Sequence, residues 1–346
     1  MQKTFDCIRL HFQAPLHLAT GKSQYDRSGQ ILHSDALLAA LFVNALHLGA
    51  SPEEALAMMD GVRLSSGFPF WQEEHFFPKP MARMPFHIKG IEIERQGKPF
   101  KKMRFLGKSW LERLLRQEST DINQEQHLHF KGAFLSDHHD VLAQTSTYSK
   151  FSIFKSEVSQ RVTIAPDHVE ESVPYFTDRI FFAPDAGLYV LAEIKDEGVR
   201  SLFQQAFRLL GDNGVGTDRS VGNGFFEPEF TQLTLELPTN ATHQMNLGLY
   251  CPADQELDEP DYHQSAWQLI KRGGYLAGAA DPDQITLRKR SIFMFEEGSV
   301  FPNKGLQGTR ENLVPPGINV NHAVWRDGRT IFLPINADTN YEKDNG

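Results

Sequence analysis

The sequence has only two cysteines and no long apolar run, and it therefore lacks what cysteine-based metal clusters, disulfide frameworks and membrane spans require. Its only cysteines, Cys7 and Cys251, are too far apart in the chain to form a zinc cluster or a disulfide framework. The longest apolar stretch, Ala36–Leu48, is interrupted by Asn44 and His47 and is shorter than the ~18 residues of a membrane span. The N-terminus enters a strand pattern without an apolar signal core. We therefore expect a cytoplasmic protein with no membrane partner.

Positive charge is also scarce, because 44 acidic residues outnumber 35 lysines and arginines and give a formal net charge of −9. A free-standing nucleic-acid-binding protein is usually basic. The excess of acidic residues therefore argues against a protein that binds nucleic acid on its own. It leaves room for a local basic groove, and for an assembly in which acidic faces meet basic neighbours.

The pattern at the start of the chain is strand, helix, strand. Phe5–Phe12 alternates apolar and polar side chains as a half-buried strand does. A helix is predicted from Ser34, which can cap it, with Asp35 at the positive end of its dipole and Gly49 at its end. Val62–Leu64 is predicted to be the second strand. This order opens a ferredoxin-like or RRM-like unit, of the α+β class.

The rest of the chain contains an insertion and a second strand–helix unit. The segment from Gly67 to about residue 140 is irregular and is predicted to carry loops, with a short helix at Gly107–Gln117. Val199–Leu210 has the i, i+3, i+4 spacing of an amphipathic helix. Strands are also predicted at Arg161–Ile164, Leu188–Ile194 and Phe225–Leu237. The polar stretch at Pro238–Asn246 is a predicted domain boundary, and after it we predict strands at Leu247–Cys251 and Ser291–Phe295, a helix at Tyr262–Arg272 and a hairpin at Val324–Ile335.

A glycine-rich loop from Gly211 to Gly224 follows the amphipathic helix. Glycine permits positive φ and close approach of a ligand, and successive backbone amides can hold a phosphate. The loop runs from helix to strand and lacks the lysine of a Walker motif. A flexible turn and a nucleotide-binding enzyme remain alternatives. The candidate phosphate-binding residues are Gly214, Gly216, Thr217, Arg219, Ser220, Gly222, Asn223 and Gly224.

Five segments in this order resemble the RAMP superfamily of RNA-binding proteins from CRISPR systems, and within it the fourth subunit of the type III-A (Csm) effector complex. The segments are Leu32–Leu37 (LHSDAL), Ser65–Phe70 (SSGFPF) with Phe77–Met81 (FPKPM), Arg161–Ile164 (RVTI) leading to Gly187–Tyr189 (GLY), the glycine-rich loop, and Met294–Phe301 (MFEEGSVF). They span nearly the whole chain. The region 85–140 has no counterpart in this pattern.

The resemblance implies two RRM-like domains, which we place at 1–240, with the insertion and the glycine-rich loop, and at 241–346. It implies a non-catalytic subunit that holds the 5′ repeat tag of the guide RNA. The implied protein partners are the large polymerase-like Cas subunit and the backbone RAMP subunit of the complex. No cofactor, no metal and no direct contact with DNA are expected.

Further residues outside the loop are predicted to contact RNA. The segment Tyr148–Arg161 combines basic and aromatic residues beside the central hairpin, and charge with stacking suits single-stranded RNA. From this region and from two of the motifs we select Lys155, Arg161, Thr163, Ser34 and Lys79. Two other basic groups, a run with interleaved Phe100 and Phe105 and the triplet Arg288–Arg290, could equally be solvated surface. The run consists of Lys98, Lys101, Lys102, Arg104 and Lys108.

The main alternative to a non-catalytic RNA-binding subunit is an RNA-cleaving enzyme that uses a histidine. Some RAMP proteins cut RNA with a histidine, so His33 could serve as the acid or base of an endoribonuclease that processes guide RNA. The preferred interpretation is that His33 only precedes a capped helix. His127, His129 and the pair His138–His139 raise the question of metal binding, but they lack the spacing of a zinc motif.

Overall fold

The computed structural model describes residues 1–19, 28–138, 152–165, 168–257, 261–275, 288–318 and 322–338. The fold is mixed α/β. Its helices are α1 (Ser34–His47), α2 (Pro52–Gly61), α3 (Gly97–Lys102), α4 (Lys108–Leu115), α5 (Gln124–His127) and α6 (Arg200–Asn213). Its strands in the first 240 residues are β1 (Gln2–Phe12), β2 (Val62–Leu64), β3 (Phe68–Trp71), β4 (Glu74–Pro78), β5 (Phe86–Ile88), β6 (Phe105–Gly107), β7 (Thr120–Ile122), β8 (Leu128–His129), β9 (Phe134–Leu135), β10 (Phe154–Ala165), β11 (His168–Phe182), β12 (Ala186–Ile194) and β13 (Phe226–Glu236). The remaining strands are β14 (His243–Asn246), β15 (Leu269–Arg272), β16 (Ile292–Phe295), β17 (Val300–Pro302), β18 (Arg310–Asn312), β19 (Trp325–Asp327) and β20 (Phe332–Ile335).

A large sheet organises the first part of the chain. Within the described residues its strands run in the order β13-β1-β12-β3-β4-β6-β9-β8, with β2 paired to β12. Because side chains alternate along a strand, β1 serves two cores. Ile8 and Leu10 pack with the helices, whereas Phe5 and Cys7 pack in the core on the opposite face. The predicted strand and its alternation are confirmed.

The segment predicted as an insertion of loops is different in the structure. Strands β3, β4, β6, β9 and β8 extend the large sheet through this region. Phe76, Phe77 and Phe105 are fully buried there, so burial of aromatic side chains drives the local folding. Phe105 is therefore a core residue and cannot stack on RNA.

Helix α6 buries the residues that its sequence pattern predicted, but helix α1 does not begin with the predicted cap. Helix α6 buries Phe203, Ala206, Phe207 and Leu210, as its spacing predicted. Helix α1 begins after His33, and no side chain caps it. The Ser34 hydroxyl instead accepts a hydrogen bond from the amide of Leu249, at 3.0 Å. The prediction that Ser34 caps the helix is wrong, because a distant segment competes for its oxygen.

The last hundred residues form small sheets whose pairing the sequence did not reveal. Strand β14 lies between β17 and β20, and it ends at Asn246, before the predicted strand. The predicted helix at Tyr262–Arg272 is wrong: a 3-10 turn at Tyr262–Gln264 precedes β15, which pairs with β16. The predicted hairpin at Val324–Ile335 is also wrong, because β19 pairs with β18 and β20 with β14. Pairing with distant strands outweighs local pattern here. No helix of the described residues is long and apolar enough to cross a membrane.

Candidate nucleic-acid interface

The glycine-rich loop is a folded element held by its glycines. Gly214, Gly216, Gly222 and Gly224 all have φ between +75° and +90°, a region that other residues rarely adopt. A methyl group added at Gly224 would overlap the carbonyl oxygen of Val215, and one at Gly216 would overlap that of His17. At Gly222 the added carbon would meet open space. Three of the four glycines are thus required by close packing, and Gly222 by its φ alone.

Hydrogen bonds fasten the loop to the chain segment that follows β1. The amide of Gly224 donates to the carbonyl oxygen of Pro15 at 2.8 Å, and the amide of Thr217 donates to that of His17 at 2.9 Å. The Thr217 hydroxyl donates to the same oxygen at 3.1 Å. These amides and the Thr217 hydroxyl are therefore occupied. We had predicted that these groups donate hydrogen bonds to phosphate. They could do so only if their bonds within the protein were broken.

The free donors lie at the tip. Asp218 has φ +60°, and a 3-10 turn follows at Arg219–Val221. Arg219 and Ser220 are exposed, and in the part of the chain that the structure describes the amides of Asp218, Arg219 and Ser220 make no hydrogen bond. Asn223 is buried, and its Nδ2 has no acceptor among the described residues. The loop thus presents donors and one cation at an ordered turn.

The long hairpin of β10 and β11 lies against this loop. The guanidinium of Arg161 is 4.0 Å from the carboxylate of Asp218, beside the tip. A backbone bridge between Leu16 and Ile180 and a hydrogen bond between His17 Nδ1 and the Asp178 carbonyl oxygen, at 2.6 Å, fix the hairpin to the same segment. The structure thus brings Arg161, one of the predicted RNA-contact residues, next to the tip of the loop.

Lys155, Thr163 and Tyr148 are the other residues predicted for this region. Lys155 is exposed on β10, opposite Phe181. Thr163 lies in β10 with its backbone paired to Val173, and its side chain is outside the described residues, as is Tyr148. His17 and Asp178 were not predicted as part of this site, and a periodic pattern would not have revealed them, since their contacts use the His17 ring nitrogen and the backbone oxygens of both residues.

Lys79 and Ser34 lie away from this interface. The ammonium of Lys79 donates to the carbonyl oxygen of Phe100 at 2.7 Å, and burial lowers the pKa of this lysine. Ser34 is buried beneath the Leu249 amide. Both predictions of RNA contact are therefore unsupported by position: each side chain already has an internal partner.

His33 belongs to a buried network where the first and last parts of the chain meet. Its Nδ1 is 2.8 Å from Oε1 of the buried Glu297, which also accepts a hydrogen bond from the Ser66 hydroxyl. Burial lowers the pKa of His33, but the Glu297 carboxylate outweighs it and the pKa is raised. The Glu297 carboxylate therefore favours the protonated form of the imidazole.

Asp35 anchors the same junction. Its buried carboxylate receives the guanidinium groups of Arg272, at 2.9 Å, and of Arg326. Burial raises the pKa of Asp35, yet the two arginines hold it well below its usual range. The predicted dipole role of Asp35 is thus secondary to an ion-pair role that only the fold creates.

A cleft of about 700 Å³ lies next to the loop, between the end of β1 and the start of β13. Its charged lining residues are Arg208, Asp212 and Glu227. Two carboxylates against one guanidinium disfavour a phosphate there. Among the described residues, no cluster of histidine, cysteine and carboxylate side chains could hold a metal ion.

Comparison with known proteins gives a consistent picture. Residues 239–335 match the family model of the CRISPR Csm4 C-terminal domain. A curated protein of Mycobacterium tuberculosis (strain CDC 1551 / Oshkosh), named "CRISPR system Cms protein Csm4", is 28% identical over 96% of this chain and 96% of its own length. A protein of the same name from Thermococcus onnurineus (strain NA1) is 26% identical over 88% of this chain and 92% of its own.

Solved structures share the fold. A chain of a "Csm3-Csm4 subcomplex in the type III-A CRISPR-Cas interference complex" superposes with a TM-score of 0.65 at 19% identity, covering 96% of this chain and 100% of that one. A chain of a "Csm1-Csm4 cassette in complex with cA4" gives a TM-score of 0.61 at 19% identity, covering 98% and 100%. The sequence motifs, the model of the C-terminal domain, the relatives and the fold therefore agree in one respect: along nearly its whole length the chain is similar to Csm4 proteins of CRISPR systems.

Proposed function

We propose that this chain is a non-catalytic RNA-binding subunit of a type III-A effector complex, and that the tip of its glycine-rich loop holds the 5′ repeat tag of the guide RNA. The observation that carries the proposal is the ordered tip, where consecutive free amides lie beside Arg219. Amides in a nest-like turn bind anions without side-chain reorganisation. Arg161 adds a second cation on the adjoining hairpin.

The buried amide of Asn223 supports this assignment. A buried hydrogen-bond donor without an acceptor lowers the free energy of unfolding by about 1–3 kcal/mol. Most buried polar groups in native proteins are therefore bonded to protein, water or ligand, whereas the Asn223 side-chain amide has no acceptor among the described residues. A phosphate oxygen at the tip would supply the missing acceptor. Lys155 extends the positive surface along β10, and Thr163 lies further along the same strand.

The strand order supports the two-domain architecture that goes with this function. In the large sheet β1 lies between β13 and β12, and β12 pairs on its other edge with β2 and β3. This is the strand order of a ferredoxin-like unit, which packs two helices on one face of its sheet. We propose that residues 1–240 form this unit and that 241–346 form the second, smaller RRM-like domain. The antiparallel sheet of β17, β14 and β20 would belong to that second domain, and its buried side chains pack into the same core as Phe5 and Leu235 of the first.

The partners proposed are the large polymerase-like Cas subunit and the backbone RAMP subunit of the complex. The proteins similar in fold were solved as Csm1–Csm4 and Csm3–Csm4 assemblies. The net charge of −9 fits a chain whose acidic surfaces meet basic neighbours. We propose that strong RNA binding needs this assembly.

The endoribonuclease alternative would need His33 to reach RNA. The ring is tied to a buried carboxylate at the junction and shares no contact with the loop or the hairpin. This favours a structural role for His33, and repeat-RNA cleavage that disappears in His33→Ala is the result that would restore the nuclease.

A charge reversal at the tip tests the proposal. Arg219→Glu should reduce the guide RNA that co-purifies with the reconstituted complex by about tenfold, since a favourable phosphate contact becomes a repulsive one. Arg95→Glu makes the same charge change at an exposed position away from the tip and should retain guide RNA. Equal RNA recovery in both variants, at equal thermal stability, would show that the loop is only a connector.

A further inference from the structure

A second hairpin, formed by β15 and β16, exposes an unusual amount of aromatic surface. Phe293 is 62% exposed, Tyr275 47%, and Trp267 and Leu269 each 42%. Lys271 and Phe293 lie directly opposite each other in the ladder, so their side chains are on one face. Leu269 is two residues before Lys271 and therefore shares that face. We call this surface, made of Trp267, Leu269, Lys271, Tyr275, Arg288 and Phe293, the hairpin face.

The hairpin is firmly attached to the rest of the molecule. Arg272 points to the other side and pairs with the buried Asp35 at the start of α1, while Met294 is fully buried. Trp267 packs edge-on against Phe295, with 5.6 Å between ring centroids. The aromatic surface is therefore held in place before any ligand arrives.

The two strands of the hairpin and their flanks are positively charged, whereas the whole chain is negatively charged. Residues 266–275 and 288–295 contain five lysines and arginines and no aspartate or glutamate, in a protein of net charge −9. Arg272 is neutralised by Asp35, and Arg290 pairs with Glu311. Lys271 remains exposed on the hairpin face, and the Arg288 guanidinium lies 5.5 Å from the centre of the Tyr275 ring. Among its described residues, 266–275 and 288–295, the hairpin combines aromatic rings with cations and has no carboxylate, while Asp281 and Asp283 of the connecting segment lie outside the described residues.

We propose that the hairpin face is a stacking surface for the bases of single-stranded RNA, separate from the glycine-rich loop. Alternate strand residues are about 6.7 Å apart, so rings on one face can receive successive unstacked bases. Lys271 and Arg288 are placed to neutralise the backbone of such a strand. A protein partner would also contact the apolar surface, but the exposed Lys271 and Arg288 beside the aromatic rings favour a polyanion. The inference rests on the proposed RNA-binding function and adds a second contact to it.

Tryptophan fluorescence offers a direct probe, because of the four tryptophans Trp267 is exposed, Trp71 and Trp110 are buried, and Trp325 is half-buried under Arg310. The full-length protein is titrated at low ionic strength with a single-stranded oligo-adenosine RNA. We expect quenching of the wild type and none in Trp267→Phe, which keeps a stacking ring and near-normal affinity. Trp267→Ala and Phe293→Ala should each weaken RNA binding by about tenfold.

Matched variants separate the possible failures. Leu257→Ala removes an exposed apolar side chain outside the hairpin and should bind RNA normally. Lys271→Ala should weaken binding and reduce its salt dependence. Arg219→Glu should leave the Trp267 quenching while lowering guide-RNA recovery in the complex, so that a failure of the loop is distinguishable from one of the hairpin.

Two results would overturn the inference. The first is RNA binding without Trp267 quenching and without any effect of Phe293→Ala. The second is unchanged RNA binding in the alanine variants together with loss of another Csm subunit from the purified complex, which would identify the hairpin face as a protein-docking surface. Thermal melts of each variant confirm that the fold is intact.

Discussion

At the scale of single residues, buried ionisable side chains have acquired partners that fix their charge. His33 is paired with Glu297, and Asp35 with Arg272 and Arg326. Removing one member of a buried pair leaves the other charge desolvated, which costs more than the pair itself contributes. Substitutions at these positions should therefore change stability before they change function.

His33→Ala should destabilise the fold by about 3 kcal/mol at pH 6, because Glu297 loses its cation. The folded-state pKa of His33 is raised, so its stabilisation is fully present below the unfolded pKa of about 6.5 and is lost as pH rises through the folded value. The difference in unfolding free energy between wild type and variant should thus shrink from pH 6 to pH 9 in urea titrations. A difference independent of pH would contradict the charged pair.

The same variant should leave guide-RNA maturation and target cleavage by the assembled complex intact. Its ring is engaged at the junction and makes no contact with the loop tip. Guide RNA from the reconstituted complex, resolved on denaturing gels, provides the measurement. Loss of maturation with normal assembly would favour the nuclease instead.

Two glycines of the loop should respond differently to alanine. At Gly222 the added carbon has room, and the cost of about 1 kcal/mol comes from positive φ alone. At Gly224 it overlaps the Val215 carbonyl oxygen, so the loop must rearrange and lose its bond to Pro15. Gly224→Ala should lower the melting temperature and RNA retention together, whereas Gly222→Ala should change the melting temperature only slightly. Equal melting temperatures for the two variants would show that the loop is not packed as described.

At the scale of secondary-structure elements, the start of α1 joins the two parts of the chain. The Asp35 carboxylate connects it to β15 through Arg272 and to β19 through Arg326. Ser34 accepts the Leu249 amide at the same place. One helical turn therefore fixes three elements that are more than 200 residues away in sequence.

Asp35→Ala should destabilise the protein by about 3–5 kcal/mol, because two buried guanidinium groups lose their counter-charge. The depressed pKa of Asp35 means that its contribution is present above the unfolded value of about 3.9 and is lost only as pH falls below it. The loss should therefore be constant between pH 6 and pH 9, unlike that of His33→Ala. Glu73→Gln, at the exposed end of an ion pair with Arg9, should cost less than about 1 kcal/mol.

At the scale of the whole molecule, the acidic balance should make assembly decisive for RNA binding. The isolated chain should bind random single-stranded RNA weakly at physiological salt, and the complex should bind guide RNA tightly. The slope of log affinity against log salt should be about −0.7 per phosphate contact for a single strand, so few contacts predict a shallow slope. Nanomolar binding of random RNA by the isolated chain would contradict the role of a subunit.

The sequence alone determined the elements with strong local periodicity and the residues with restricted backbone geometry. Strand β1 and helix α6 were predicted because alternation and i, i+4 spacing depend only on which faces become buried. The glycine-rich loop was found because positive φ requires glycine. Only the tertiary structure decided which donors of the loop are free, which strands pair after residue 240, and that Ser34 and Asp35 bind distant segments. These outcomes depend on contacts between residues far apart in the chain, whose energies exceed local preferences and leave no periodic trace in the sequence.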